Sequence, residues 1–207
     1  MPLLKCSASK ARPKNGIGYI TDPKKAAIVS VKNLFEDEDY AKQFEETAAR
    51  FGKGEKYDER KYYHFKLSCA RKDNVTPEKA HAYAEEIAEA FFKNYECVIG
   101  THTDTKTVHS HIIVNAVDPI TGKKLQFSKQ DYVKMKDEVN AIGRKYGFTE
   151  TEFRKRGKNS RTAAEKKIML KGGTSWKEEL REVIAEAVKK TKSQDEFIKY
   201  LDECYGV

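Results

Sequence analysis

Residues 109–115, His-Ser-His-Ile-Ile-Val-Asn, constrain this chain more than any other stretch. The apolar run Ile112-Ile113-Val114 reads as a buried strand. On a strand the side chains of residues i and i+2 project to one face, roughly 7 Å apart at the backbone. His109 and His111 therefore stand side by side. His102 precedes them across a polar turn, residues 103–107, and a hairpin folds it back towards the same spot. Three of the five histidines thus fall on one short hairpin. Three neutral imidazoles can converge on one ion and leave positions open for a substrate oxygen, which is the arrangement of a catalytic rather than a structural site.

The rest of the chain supplies a sheet for that hairpin. Residues 61–71 alternate with period two: Tyr63, Phe65, Leu67 and Cys69 form a core face, and Tyr62, His64, Lys66 and Ser68 the other. Further strands are expected at residues 3–7, 96–101 and 108–117, with a short one at 124–127 after the turn at 118–122. Residues 26–34 read as a strand or an extended loop. Residues 16–25 combine flexible glycines with a turn and allow a brief helical segment around Tyr19.

Helices are expected at 38–51, closed by Gly52-Lys53-Gly54, and from Pro77 with Thr76 as N-cap. Another begins at Ser128, with Asp131 three residues on, and stops at Gly147. This pattern predicts an α+β fold, a central antiparallel β-sheet flanked by helices, over residues 1–150. Residues 151–173 lack apolar periodicity and read as a basic linker. Residues 174–207 read as a helical C-terminal extension with Trp176, Leu180, Ile184 and Val188 on one face and a capping box at 193–196.

Charge narrows the partner. The net charge of +8 and pI near 9.1 favour a polyanion, nucleic acid first and an anionic membrane surface second. No apolar run approaches the ~20 residues of a membrane span, so membrane insertion is not expected. The first residues lack the apolar core of a secretory signal. Four cysteines without metal-ligand spacing suit reduced residues of a cytosolic protein.

A three-histidine centre on a sheet, in a basic protein, points to metal-assisted attack on a phosphodiester. The nucleophile is water or a side chain. Tyr19, glycine-flanked and followed by Lys24 and Lys25, is one candidate; Tyr132, with Lys136 one turn on, is the other. A phenol suits reversible phosphoryl transfer because the phosphotyrosyl ester conserves bond energy. Asn115 shares the strand face of His109 and His111 and is a candidate contact for a ligand or nucleotide. His64 and Ser68 are candidates to support a ligand or touch the scissile phosphate. Arg154, Lys155, Arg156, Lys158 and Arg161, with Lys123 and Lys124, are candidate DNA contacts acting through counterion release. Imidazole ligands favour Mn²⁺ over Mg²⁺ as the divalent ion, even where Mg²⁺ serves in the cell.

The run from His102 through Asp104, His109 and His111 to Asn115 resembles the motifs of the MobA/VirD-type conjugative relaxases. So do the upstream pair His64 and Ser68 and the segment Gly-Tyr-Ile-Thr-Asp-Pro-Lys-Lys around Tyr19. These enzymes are MOB-P mobilisation nucleases of the HUH endonuclease superfamily. The resemblance covers nearly the whole chain, with the motifs in the family's order. It implies site- and strand-specific nicking at an origin of transfer through a 5′-phosphotyrosyl intermediate, which starts conjugative mobilisation of a plasmid or integrative element. It implies Tyr19 as nucleophile, His102, His109 and His111 as metal ligands, and Asp104 as a group that orients a histidine or takes the tyrosine proton, with His64 as another proton acceptor.

Implied partners are origin DNA, single-stranded at the nick and carrying an inverted repeat or hairpin, with accessory relaxosome proteins and a coupling protein in a bacterial cytoplasm. One departure is Ser110, where the superfamily usually places an apolar residue. Two other functions compete with this one: a rolling-circle replication initiator using Tyr132, and a non-catalytic basic DNA-binding module.

Overall fold

A computed structural model describes residues 3–150 and 161–206. The chain forms two units, Met1–Phe153 and Arg154–Val207. In the first, the strands β1 (Leu3–Ser9), β2 (Ala26–Lys32), β3 (Tyr62–Ser68), β4 (Cys97–His102) and β5 (His109–Asn115) build one sheet in the order β1-β3-β5-β4-β2. Every neighbouring pair is antiparallel. The helices are α1 (Pro13–Ile20), α2 (Tyr40–Arg50), α3 (Pro77–Phe92) and α4 (Lys129–Lys145). The α+β fold expected from the sequence is therefore the one found.

Both faces of the sheet are covered, by different helices. Tyr63, Phe65, Leu67 and Cys69 pack with Ile99, Ile112 and Val114 against Tyr83, Ile87 and Phe92 of α3 and Met135, Val139 and Ile142 of α4. On the other face Ile17, Ile20, Ala41 and Phe44, from α1 and α2, meet Tyr62, Val98 and Ile113. This is why every residue of β4 and β5 is buried. At roughly 1.5–3 kcal/mol for each fully buried large apolar side chain, these two clusters are what hold the layers together. Local signals set the helix starts. Asp39 accepts hydrogen bonds from the backbone of Ala41 and Lys42, Thr76 caps α3, and Ser128 with Asp131 forms a full capping box.

The first layer contact depends on glycine. A Cβ on Gly100 of β4 would stand 2.2 Å from the carbonyl oxygen of Ile20, and one on Gly16 would stand 2.7 Å from Tyr62 Oη. Only two bare backbones allow α1 to lie so close to the strands. The brief helical segment that the sequence allowed around Tyr19 is thus a packed helix, with Gly16 and Gly18 inside it. Gly18 itself has nothing within 4 Å of its would-be Cβ.

Three expectations need correction. Residues 124–127 make only an isolated bridge, Val117 with Lys124 beyond the end of β5, and the Leu125 carbonyl that a longer ladder would use accepts from the Arg60 and Tyr63 side chains. The second unit begins its helices inside the presumed linker: α5 (Ala163–Leu170) has a full capping box of Thr162 and Glu165, followed by α6 (Trp176–Lys190) and α7 (Gln194–Tyr205). The box expected at the start of α7 is half formed. Ser193 accepts from the Glu196 backbone, but the Glu196 carboxylate takes the backbone N–H of Lys192. In α6 the buried residues are Glu178 and Ala187, whereas Trp176, Leu180, Ile184 and Val188 are exposed.

The glycine contact yields a paired expectation. Gly100→Ala forces α1 off the sheet and should destabilise the chain by about 1–3 kcal/mol. Gly18→Ala, in an open helical position, should be neutral or stabilise by up to about 1 kcal/mol. Thermal unfolding of the two variants checks this, and equal midpoints would refute the packing argument.

Candidate metal and nucleophile site

Strand register assembles the site. His102 pairs with His109 across β4–β5, and His109 and His111 follow the two-residue repeat of β5. The three side chains reach the same point: one nitrogen from each lies within 4.8 Å of the others. All three are buried.

The hydrogen bonds decide which nitrogen each ring offers. His102 Nε2–H donates to the carbonyl oxygen of Ile20 at 3.0 Å, leaving its Nδ1 as the inward atom. His109 Nδ1–H donates to the carbonyl oxygen of Thr107 at 3.1 Å, leaving Nε2. His111 Nδ1 lies 2.7 Å from His64 Nε2, and this contact leaves His111 Nε2 inward. His102 Nδ1 and His111 Nε2 are buried with no hydrogen-bond partner. An orphaned buried polar atom costs about 1–3 kcal/mol. Lone pairs aimed together in this way fit a divalent ion, and each outer nitrogen is held by a partner as metal-binding histidines require.

Protonation favours the same state. Burial pushes the His64, His109 and His111 imidazoles below the ordinary histidine value. For His111, burial and then the neighbouring His64, His102, His109 and Lys66 take it down to about 2. Neutral rings are the ligand form.

Tyr19 stands over this cluster. Its ring centroid is 5.6 Å from that of His102 and 5.5 Å from that of His111, both edge-on. It is 43% exposed, so its hydroxyl can meet a substrate from solvent while its ring rests on the histidines. Lys25 Nζ lies 4.7 Å from the centre of the Tyr19 ring. Lys25 also pairs with Asp22, and Lys24 is exposed beside it. Asp104 Oδ1 is 3.9 Å from His109 Nε2, at the rim of the cluster. Ser68 is opposite His109 in the β3–β5 register.

Several expected site residues sit elsewhere. Tyr132 is on the opposite face of the sheet, with its hydroxyl donated to the carbonyl oxygen of Leu4 at 2.8 Å and its phenol pushed up by burial. Asn115 shares the strand face but lies four residues beyond His111, about 13 Å along the strand. Its amide is buried and committed to Glu96 and the Phe44 carbonyl, so it is a structural residue rather than a nucleotide contact. Lys124 is ion-paired with Glu59, and Lys123 is exposed on the turn beyond that distant strand end. His64 Nε2 is engaged with His111 Nδ1. Arg161 is ion-paired with Glu178, which also binds Arg181, inside the second unit. Arg154, Lys155, Arg156 and Lys158 lie outside the described residues.

Sequence reasoning missed the backing of the ligand strands. Ser110 Oγ bonds Thr101 Oγ1 at 2.8 Å and donates to the Ala80 carbonyl at 3.2 Å; Thr101 in turn meets His81 Nδ1 at 2.9 Å. Ser110 and Thr101 face away from the cluster, each adjacent in sequence to a ligand. The alternation of the strands was the available signal, since it places every residue next to a ligand on the α3 side.

Residues 19–148 match the family described as "Relaxase: MobA/VirD2-like, nuclease domain". The chain is 36% identical over 169 residues to the protein rlx of Staphylococcus aureus, covering 81% of this chain and 52% of that relative. It is 34% identical over 94 residues to the group II intron-interrupted relaxase LtrB of Lactococcus lactis, covering 45% of this chain and 16% of the relative. The chain spans about half the length of the rlx relatives. Among solved structures, the Mn-bound MobM relaxase domain in complex with pMV158 oriT DNA is similar with a TM-score of 0.59. That match has 12% identity and covers 80% of this chain and 97% of the other, so the fold is shared.

Two expectations follow from the site. His64→Ala should weaken Mn²⁺ binding about 10–100-fold by freeing the outer nitrogen of His111; titration calorimetry that finds wild-type affinity would refute the role. The lowered histidine values also fix the sign of a pH effect. The unfolded chain binds protons at these rings below about 6.5 while the metal-free fold resists them, so stability is full above that pH and falls as pH drops towards about 2. Thermal midpoints measured without metal from pH 8 to 5 should decline, and His111→Ala should flatten the decline.

Proposed function

The chain belongs to the MobA/VirD2-like relaxase nucleases, and we propose that it nicks one strand of DNA at an origin of transfer to start mobilisation of a plasmid or integrative element. The observation that carries this reading is the tyrosine ring 5.5 Å from His111, above a cluster in which the inward His102 Nδ1 and His111 Nε2 have no hydrogen-bond partner. A divalent ion, Mn²⁺ in preference to Mg²⁺, would be held by His102, His109 and His111 and would neutralise charge on a phosphate oxygen.

Tyr19 supplies the nucleophile. Its Oη forms a bond to phosphorus, the P–O3′ bond breaks, and the products are a 5′-phosphotyrosyl ester and a 3′-hydroxyl. The phenol, with an ordinary pKa near 10, must lose its proton as it attacks. Asp104, at the rim of the cluster and partly exposed, is the proposed acceptor. The leaving 3′ oxygen takes up a proton in the same exchange, so the ester can be reversed by a later 3′-hydroxyl. Lys25 and Lys24 add positive charge where the DNA arrives, and Ser68 stands beside His109 for a contact to the scissile phosphate.

The strand must be single or melted at the nick for its phosphate to reach a site this buried. An inverted repeat or hairpin next to the nick would give the flanking duplex its register. Accessory relaxosome proteins and a coupling protein belong to the same reading, as does a bacterial cytoplasmic setting. Among the described residues no helix is long and apolar enough to cross a membrane. The domain plan that goes with it is a nuclease core over 1–150, a basic linker over 151–173 in which Arg154, Lys155, Arg156 and Lys158 contact DNA, and a helical extension over 174–207.

Tyr19→Phe removes one hydroxyl and should keep DNA binding while abolishing the covalent adduct. Tyr132→Phe should retain the adduct, losing only a bond to Leu4. Mass spectrometry of trapped protein–oligonucleotide complexes reads both. A nucleotide attached to Tyr132, or an adduct surviving in Tyr19→Phe, would overturn the assignment and favour the replication-initiator function.

A further inference from the structure

The sheet face that bears the histidines is only partly roofed. Helix α1 packs on β4 and β5. Towards the β1 edge the same face forms an open groove of about 290 Å³ whose lining includes Lys5, Ser7, His64 and Lys66. The register explains how these residues come together. Lys66 is directly opposite His111, and Lys5 is directly opposite Lys66. Directly opposed residues share a face, so His111, Lys66 and Lys5 form one row across three strands, spaced about 4.8 Å apart at the backbone.

A row of this kind is costly in the bare protein. Like charges directly across an antiparallel pair destabilise it. Lys66 is half-buried. Among the described residues neither ammonium is ion-paired with a carboxylate, although the chain has thirty-two acidic residues to draw on. An edge-strand lysine alone guards a sheet against unwanted pairing, and Lys5 would qualify. Lys66 lies one strand further in, where no edge needs guarding. Two unneutralised cations beside a cluster built for a phosphodiester leave an anion as the missing partner.

We propose that Lys66 and Lys5 seat the DNA backbone next to the scissile phosphate, so that the single strand leaves the histidine cluster across β3 and passes over the β1 edge. The inference rests on the nicking function above and adds to it the path of the strand. A phosphate on Lys66 relieves the like-charge pair, and His64, which adjoins Lys66 and holds His111, would couple occupancy of the groove to the ligand geometry.

The test uses the full chain and a fluorescein-labelled single-stranded oligo(dT) 20-mer, with affinity followed by anisotropy over a salt series. Each phosphate contact contributes about 0.7 to the log–log salt slope on single strands. The double variant Lys5→Gln/Lys66→Gln should therefore flatten the slope by about 1.4, and its affinity loss between 50 and 200 mM salt should be about sevenfold smaller than that of the wild type. A control with the same charge change on the opposite side of the sheet, Lys129→Gln/Lys134→Gln, should keep the wild-type slope. The thermal midpoint of Lys5→Gln/Lys66→Gln should be unchanged or higher, since a repulsive pair is gone, and Mn²⁺ affinity by calorimetry should be no weaker than that of the wild type. An unchanged slope in the Lys5/Lys66 variant, or an equal flattening in the control, overturns the proposal. Failure of the nicking function looks different: wild-type protein would form no tyrosyl adduct at all.

Discussion

One carbonyl oxygen, that of Ile20, ties Tyr19 to the histidine cluster. It lies where any side chain at position 100 would have to go, and it receives the Nε2–H of His102 at 3.0 Å. The first contact sets how close α1 comes to β4; the second fixes the orientation of a ring two residues along the same strand. Tyr19, the residue just before Ile20, is thereby placed against two histidines without any hydrogen bond of its own to them. The helix position, the ring tautomer and the tyrosine position are one constraint seen from three sides. A helix of only eight residues could not hold such a position by its own stability, since isolated short helices are marginal in water. Ile17 and Ile20, buried against Val98 and Ile113, hold it.

The histidines themselves are held in a state that the bare protein does not favour for its own sake. Two inward nitrogens lack partners, and burial disfavours charging the His64, His109 and His111 rings. A purely structural cluster would be expected to satisfy those atoms, as His81 does with Thr101 on one side and Ser30 on the other. The contrast between these two buried sites in one domain separates packing from chemistry. His81 uses both nitrogens on hydroxyls; His102 and His111 each spend one nitrogen on the protein and keep the other open.

Much of this was legible in the sequence because the relevant periods are short. The two-residue alternation of residues 61–71 and 109–115 fixes which side chains share a face, and the caps at Thr76 and Ser128 mark their helices. The His102–His109–His111 grouping needs only one hairpin to form, and the relaxase motifs tie Tyr19 to it. What the sequence hid was long-range register. His64 and His111 are 47 positions apart, and whether they touch depends on β3 pairing with β5 two residues out of step with their names: His64 faces Ile113 and reaches His111 on the diagonal. Asn115 illustrates the opposite error. Its parity matched the histidines, yet distance along the strand took it to the Glu96 end, where it is a buried structural amide. Parity is set locally; position along a sheet is set by partners far away in sequence.

Ser110 shows how the two faces of the sheet serve one site. In the resembling superfamily that position is usually apolar, and a hydroxyl facing a hydrophobic layer would be costly if unpaired. Here it joins Thr101 and the Ala80 carbonyl, and Thr101 joins His81, so β5, β4 and α3 are pinned together directly behind the ligands. Chain geometry makes this backing effective. On a strand, a residue cannot shift along the sheet without moving its neighbour on the other face by the same amount. Fixing Thr101 and Ser110 therefore fixes His102, His109 and His111, although none of the three touches the network. The α3 side holds the strands in register, and the other side is left to Tyr19 and the histidine cluster.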